Sequence, residues 1–210
     1  MFFPADLEGP AFERWVSSIE KPAILSRSEW GAKPPMQPWK EHHGRQITIH
    51  HAGVATNRSR TFAQMLVALQ GFSQRVDQLA GGRTKPAWPD IPYHWYIGWQ
   101  GGIADCRDPK IVGDTNTEYD PTGHLLVCLE GNFEDEEPTG AQIRALDAIV
   151  TYLVAQYRVH PDLIKSHRDF ATTSCPGSKL YRELPRIRER IALRLRCAGV
   201  ELTENGSIKP

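Results

Sequence analysis

Apolar residues along the chain follow two periods. Between positions 60 and 80, Phe62, Met65, Leu66, Leu69, Phe72, Val76 and Leu79 recur at intervals of three and four, which predicts an amphipathic helix ended by Gly81-Gly82. Thr139-Gly140-Ala141-Gln142 has the form of a capping box and opens a second helix that carries Ile143, Leu146, Val150, Leu153 and Tyr157 on one face. A short helix over residues 10–19 and a basic one over about 178–196 complete the helical set. Period two marks the strands. Gln46–His50 alternates with β-branched residues, Tyr93–Trp99 and Ile103–Cys106 form a hairpin across Gln100-Gly101-Gly102, and Leu125–Leu129 is an apolar run bounded by glycines. Shorter strands fall at Ala23–Ser26 and Leu163–Ser166, and a polar, proline-bearing connector runs from Gly31 to Gly44. Strands interleaved with helices predict an α/β fold, a single domain with a central mixed β-sheet flanked by helices.

Composition narrows this picture. A chain of 210 residues is long enough for one domain with a sizeable core. Its 25 basic and 25 acidic residues cancel, so nothing favours nucleic acid or an anionic membrane as partner, and no apolar stretch approaches the length of a spanning helix. The opening MFFPADLEGPAFERWV has neither a basic start nor a long apolar run, so synthesis into the cytoplasm without a secretory leader is expected. Cys106, Cys128, Cys175 and Cys197 are too few and too dispersed for a disulfide framework, and reduced thiols are expected.

The strongest local signal for chemistry is the run His167-Arg168-Asp169-Phe170-Ala171-Thr172-Thr173-Ser174-Cys175-Pro176-Gly177. A histidine at a strand end and a cysteine eight positions later, with a Ser/Thr-rich loop between, could converge on one metal, since neutral imidazole and thiolate both bind zinc well. His50, at the end of its own strand, is the natural third ligand. Side chains alternate along a strand, so Ile47, Ile49 and His51 share one face while Thr48 and His50 share the other. If the isoleucines face the core, His50 faces the site and His51 packs inward. The same histidines would serve equally as core or surface residues, and spacing alone leaves both readings open.

Several segments, taken in order, bear on that choice. They are Ser26-Arg27-Ser28-Glu29-Trp30-Gly31-Ala32, Ile47-Thr48-Ile49-His50-His51, Pro92-Tyr93-His94-Trp95-Tyr96-Ile97, Cys106-Arg107-Asp108, Val127-Cys128-Leu129-Glu130-Gly131-Asn132-Phe133, Pro138-Thr139 with Gln142, and the run from His167 to Gly177. Together they resemble the N-acetylmuramoyl-L-alanine amidases, the family that includes peptidoglycan recognition proteins and small phage amidases. The resemblance spans residues 24–181. It implies a peptidoglycan recognition protein-like amidase fold and hydrolysis of the amide between N-acetylmuramic acid and L-alanine. It implies Zn²⁺ held by His50, His167 and Cys175, with Tyr93 and Thr173 as catalytic side chains near the reacting carbonyl. Peptidoglycan or a muropeptide is the partner implied, and a monomer is expected. Members of the family that only bind usually lack a zinc ligand, typically the cysteine; here all three are present.

Two departures stand out. Some branches carry a glutamate general base in the strand equivalent to 125–129, where this chain has Cys128. Glu130, two residues on, shares the face of Cys128 but reads as a structural strand-end carboxylate. The histidine that relatives often carry after the glycine following Arg-Asp is absent from Gly113-Asp114-Thr115-Asn116. Sugars stack on aromatic faces, so Trp95 and Trp99, with Trp88, are expected to line the substrate groove. The expected organisation is a helical extension at 1–22, the zinc amidase domain at 23–198 and a loose tail at 199–210. An endolysin, a wall-recycling enzyme and an exported toxin are all compatible settings.

Overall fold

The computed structural model describes residues 7–78, 82 and 84–202. Thirteen helices and strands follow in chain order among them: α1 Pro10–Ser18, β1 Ile24–Leu25, β2 Gln46–His51, α2 Phe62–Ser73, β3 Asp77–Gln78, β4 Thr84–Lys85, β5 Trp95–Ile97, β6 Ile103–Asp105, β7 His124–Leu129, α3 Gly140–Tyr157, β8 Ile164–Ser166, α4 Ser178–Tyr181 and α5 Leu184–Cys197. Six strands form one sheet in the order β1-β6-β5-β7-β2-β8, with β5 and β6 antiparallel and the other neighbours parallel. The sheet is mixed and helix-flanked, as the alternation of periods implies.

Strand alternation divides the core in two. Ile47 and Ile49 of β2, Trp95 and Ile97 of β5, and Leu125, Val127 and Leu129 of β7 face α3 and α5 in the larger cluster. Phe12 and Trp15 bring α1 into that same core, and Val200 and Leu202 also pack against it. The residues from 203 onward, the greater part of the expected tail, lie outside the described residues. On the other face, Tyr96 and Cys128 join Trp30, Ile91 and Leu66 of α2. The second face carries the side chains of chemical interest.

Local signals explain the long helices. Thr61 and Thr139 each accept from the backbone of a glutamine three residues on, which returns the bond to the cap residue. Three expectations change. The helix over 60–80 ends at Ser73, because buried Lys85 donates from Nζ to the carbonyls of Ser73 (2.9 Å), Arg75 (2.7 Å) and Pro86 (2.6 Å), and β3 pairs antiparallel with β4. Val76, apolar and in phase with the helix, is 62% exposed beyond its end, and Leu79 and Gly81 lie outside the described residues. The basic helix over 178–196 is two helices, α4 and α5, since Pro185 has no N–H to continue the ladder from α4. The hairpin strands are short, so Tyr93 precedes β5 in a loop rather than opening the strand.

Candidate metal centre

β2, β7 and β8 run parallel, so their carboxyl ends open on one edge of the sheet, where parallel sheets place their ligands. His50 sits at that end of β2. The pairing Ile49↔Ser166 sets the end of β8 beside it, and the chain leaves β8 in a single 3-10 turn, His167–Asp169. Asp169 holds that turn by accepting from Ser166 N at 2.7 Å and Ser166 Oγ at 2.8 Å. Cys175 returns on the following loop, which is tied down by Arg168 N donating to the Cys175 carbonyl at 3.0 Å. Gly177 then passes so close to Phe133 that a Cβ would lie 2.4 Å from its carbonyl carbon, and its φ of +87° favours glycine independently.

The three side chains converge. One ligand atom from each of His50, His167 and Cys175 lies within 4.8 Å of the others, and all three residues are buried. Cys175 Sγ is 3.7 Å from His50 Nδ1, and the two imidazole rings are 4.7 Å apart between centroids. His51 takes the inward face. Its Nδ1 accepts from Phe133 N at 3.2 Å, and its backbone N–H points to Cys175 Sγ at 3.4 Å.

Burial sets the protonation states. Desolvation first, and His167 second, hold the His50 imidazole well below its ordinary range, while desolvation lowers His167 to about 4. Both rings are therefore neutral donors at pH 7. Burial pushes the Cys175 thiol up to about 12, against the His51 N–H and Arg168, which lower it. A cation at the site would favour the thiolate there. The residues present fit zinc. Two neutral imidazoles and one thiol are a donor set for that ion, and the 3.7 Å between Sγ and Nδ1 is near the roughly 3.5 Å that tetrahedral bonds of about 2.3 and 2.0 Å would give. Three protein donors leave a fourth position for solvent or substrate.

The donors open into a cavity of about 220 Å³ walled by Tyr93, Thr173, Trp88, Asp114 and Thr117. The Tyr93 ring centroid lies 5.2 Å from that of His50, and desolvation with the neighbouring Cys128 raises its phenol well above the usual range, so the hydroxyl keeps its proton. Thr173 Oγ1 accepts from Cys175 N at 3.2 Å. Two tryptophans are not where the groove was expected. Trp95 lies on the opposite face of the sheet, its ring 6.4 Å from that of Tyr157 in α3, because alternation turns Tyr96 rather than Trp95 toward this side. Trp99 lines a separate hollow with Phe62 and Glu130, under the Arg58 guanidinium. Trp88 is the tryptophan that lines the cavity. Glu130 is held away from the donors, accepting from Trp99 N at 3.1 Å. His124 bonds to Gln46 and Thr48 at the start of β7.

Two residues that sequence reasoning passed over touch the imidazoles. Thr117 Oγ1 is 2.7 Å from His167 Nε2, and Tyr119 Oη is 3.5 Å from His50 Nε2. No periodicity or motif marks them.

Fold and site together define an α/β domain with a His-His-Cys cluster, able to hold a metal, at the carboxyl edge of a mixed sheet. Comparison with known proteins makes the class specific. The family model described as N-acetylmuramoyl-L-alanine amidase matches residues 40–178, and the chain belongs to that family. Peptidoglycan-recognition protein SD of Drosophila melanogaster is 29% identical over 166 residues, covering 75% of this chain and 82% of the relative. Its crystal structure superposes with a TM-score of 0.66 at 26% identity, over 78% of this chain and 94% of that one. The N-acetylmuramoyl-L-alanine amidase LysC from Clostridium intestinale gives 0.62 at 25% identity, over 81% and 98%. A tyrosine-to-phenylalanine mutant of Drosophila PGRP-LB in complex with tracheal cytotoxin gives 0.61 at 25%, over 77% and 92%.

Proposed function

We propose that the protein is a zinc-dependent amidase that hydrolyses the bond between N-acetylmuramic acid and L-alanine in peptidoglycan or its muropeptides. The observation that carries this reading is the convergence of His50, His167 and Cys175 on one open cavity. Zinc bound there would supply a Lewis acid that activates water and polarises the scissile carbonyl. The chain's own groups do the rest. His50 and His167, neutral by burial, keep lone pairs free for the ion at physiological pH. Tyr93, protonated throughout the working range, offers its hydroxyl to the oxygen on which charge develops, a donor typically worth about 3–4 kcal/mol in the transition state. Thr173, whose Oγ1 already accepts from Cys175 N, has its own O–H free to point into the cavity beside Tyr93. Trp88 offers an indole edge to the glycan or stem.

The likeness to a recognition protein supports a second reading, a module that holds peptidoglycan without cutting it. One experiment separates the two. Purified protein is incubated with defined muropeptides, with and without chelator, and products are identified by mass spectrometry. Release of intact stem peptide, lost on chelation and in Cys175→Ser, supports the amidase; unchanged muropeptides that remain bound support the recognition module.

A further inference from the structure

We propose that Thr117 and Tyr119 are positioning residues that hold the remote nitrogens of the two imidazoles, so that His50 and His167 both present Nδ1 to the metal. The inference rests on the zinc reading above. Thr117 Oγ1 lies 2.7 Å from His167 Nε2, a strong hydrogen bond, and Tyr119 Oη lies 3.5 Å from His50 Nε2, a long one. The nitrogen of His50 facing the Cys175 thiol at 3.7 Å is Nδ1. An imidazole whose Nε2–H is given to a hydroxyl has its lone pair on Nδ1, so two hydroxyls from one short segment select the same tautomer in both rings.

The hydroxyls are themselves held. Thr117 Oγ1 is 2.7 Å from Thr115 Oγ1, and Thr117 N donates to Thr115 Oγ1 at 3.1 Å; a Thr117 hydroxyl proton given to Thr115 leaves the Thr117 oxygen to accept from His167. The Tyr119 ring is wedged among His124 at 5.1 Å, His167 at 5.1 Å and Phe170 at 5.7 Å, so its hydroxyl has little freedom. The segment is pinned at its root. Buried Arg107 donates to the carbonyls of Val112 and Ile91 and to the Asp114 carboxylate, joining the loop that carries Tyr93 to the one that carries Thr117. Gly113 lies so close to β7 that a Cβ would meet Leu126 Cδ1 at 2.3 Å and the Pro92 carbonyl at 2.6 Å. A side chain at 113 would push the root of the segment away from β7 and the Pro92 carbonyl.

The test measures zinc affinity by chelator competition in the full chain and in Thr117→Val, Thr117→Ser and Tyr119→Phe, beside thermal unfolding of each protein without metal. Outer partners of ligating histidines are typically worth 10–100-fold in affinity, so Thr117→Val should weaken zinc by about that factor. Tyr119→Phe should cost less, given its longer contact, and Thr117→Ser should restore wild-type binding. The metal-free melting temperature of Tyr119→Phe should hold, because its ring packing is kept. Scalar couplings between labelled histidine nitrogens and bound cadmium should report Nδ1 at both rings. Wild-type zinc affinity in both Thr117→Val and Tyr119→Phe, or coordination through Nε2 at either ring, overturns the proposal while leaving the amidase reading intact. Failure of the unaltered protein to bind zinc overturns both.

Discussion

Cys175 Sγ and His50 Nδ1 lie 3.7 Å apart although 125 positions separate them in the chain. His51, the neighbour of one, steadies the other through its backbone N–H. Backbone bonds also hold Cys175 on its loop, from Arg168 N to its carbonyl and from its own N–H to Thr173 Oγ1, and Cys175→Ser should therefore leave the domain folded. A serine hydroxyl is a poor zinc ligand beside a thiolate. Zinc affinity should fall by more than the roughly 10–100-fold typical of outer-shell losses, with hydrolysis falling to the metal-free background. Metal content by atomic absorption, beside product release, checks this.

Tyr93→Phe isolates the proposed oxyanion donor. The ring remains to pack near His50, so zinc affinity should be unchanged while kcat drops by about 100–1,000-fold. A fall in zinc affinity of the same size would assign Tyr93 to the metal instead.

His94 predicts an acid-sensitive fold. It is fully buried, gives Nε2–H to the Ile111 carbonyl at 2.8 Å and accepts Leu126 N–H on Nδ1 at 2.8 Å, so protonation would set a donor against a donor. Burial lowers its pKa to about 3, against about 6.5 in an unfolded chain. Between those values the unfolded state binds the extra proton, so this stability is complete above about pH 6.5 and is lost as pH falls toward 3. Denaturation midpoints of the metal-free protein should decline over that interval, and His94→Gln should flatten the slope.

Arg107 should be intolerant of either truncation or exchange for lysine. Its guanidinium is almost wholly buried, with Asp114 as ion partner and the carbonyls of Asp90, Ile91 and Val112 as acceptors. Removal leaves those groups without a donor, a loss of about 3 kcal/mol or more. A lysine ammonium cannot span the same fork, so Arg107→Lys should recover little. Unfolding free energies check both, and loosening of the pinned loop should lower zinc affinity in parallel.

Elements whose cause is local were legible in the sequence. The face of β2 that carries His50 followed from alternation against Ile47 and Ile49, and α3 followed from its cap and its three-four spacing. The end of α2 was not legible, because the group that ends it, the Lys85 ammonium, comes from twelve residues beyond Ser73. The positions of Trp95 and Trp99, away from the His-His-Cys cavity, were not legible for a related reason: nearness in sequence to Tyr93 says little about which face of a sheet, or which side of a loop, a ring occupies.

What the sequence determined alone is therefore the set of parts: the α/β alternation, the motif order that resembles the amidases, and the residue types able to bind zinc. Tertiary structure decided their meeting. Pairing of β2 with β8 brought His167 to His50, the loop after it carried Cys175 back, and the approach of the 113–119 segment set two hydroxyls behind the imidazoles. Backbone periodicity acts over a few residues, whereas a metal centre is a distance between side chains, and only the packed sheet fixes distances between remote stretches of chain.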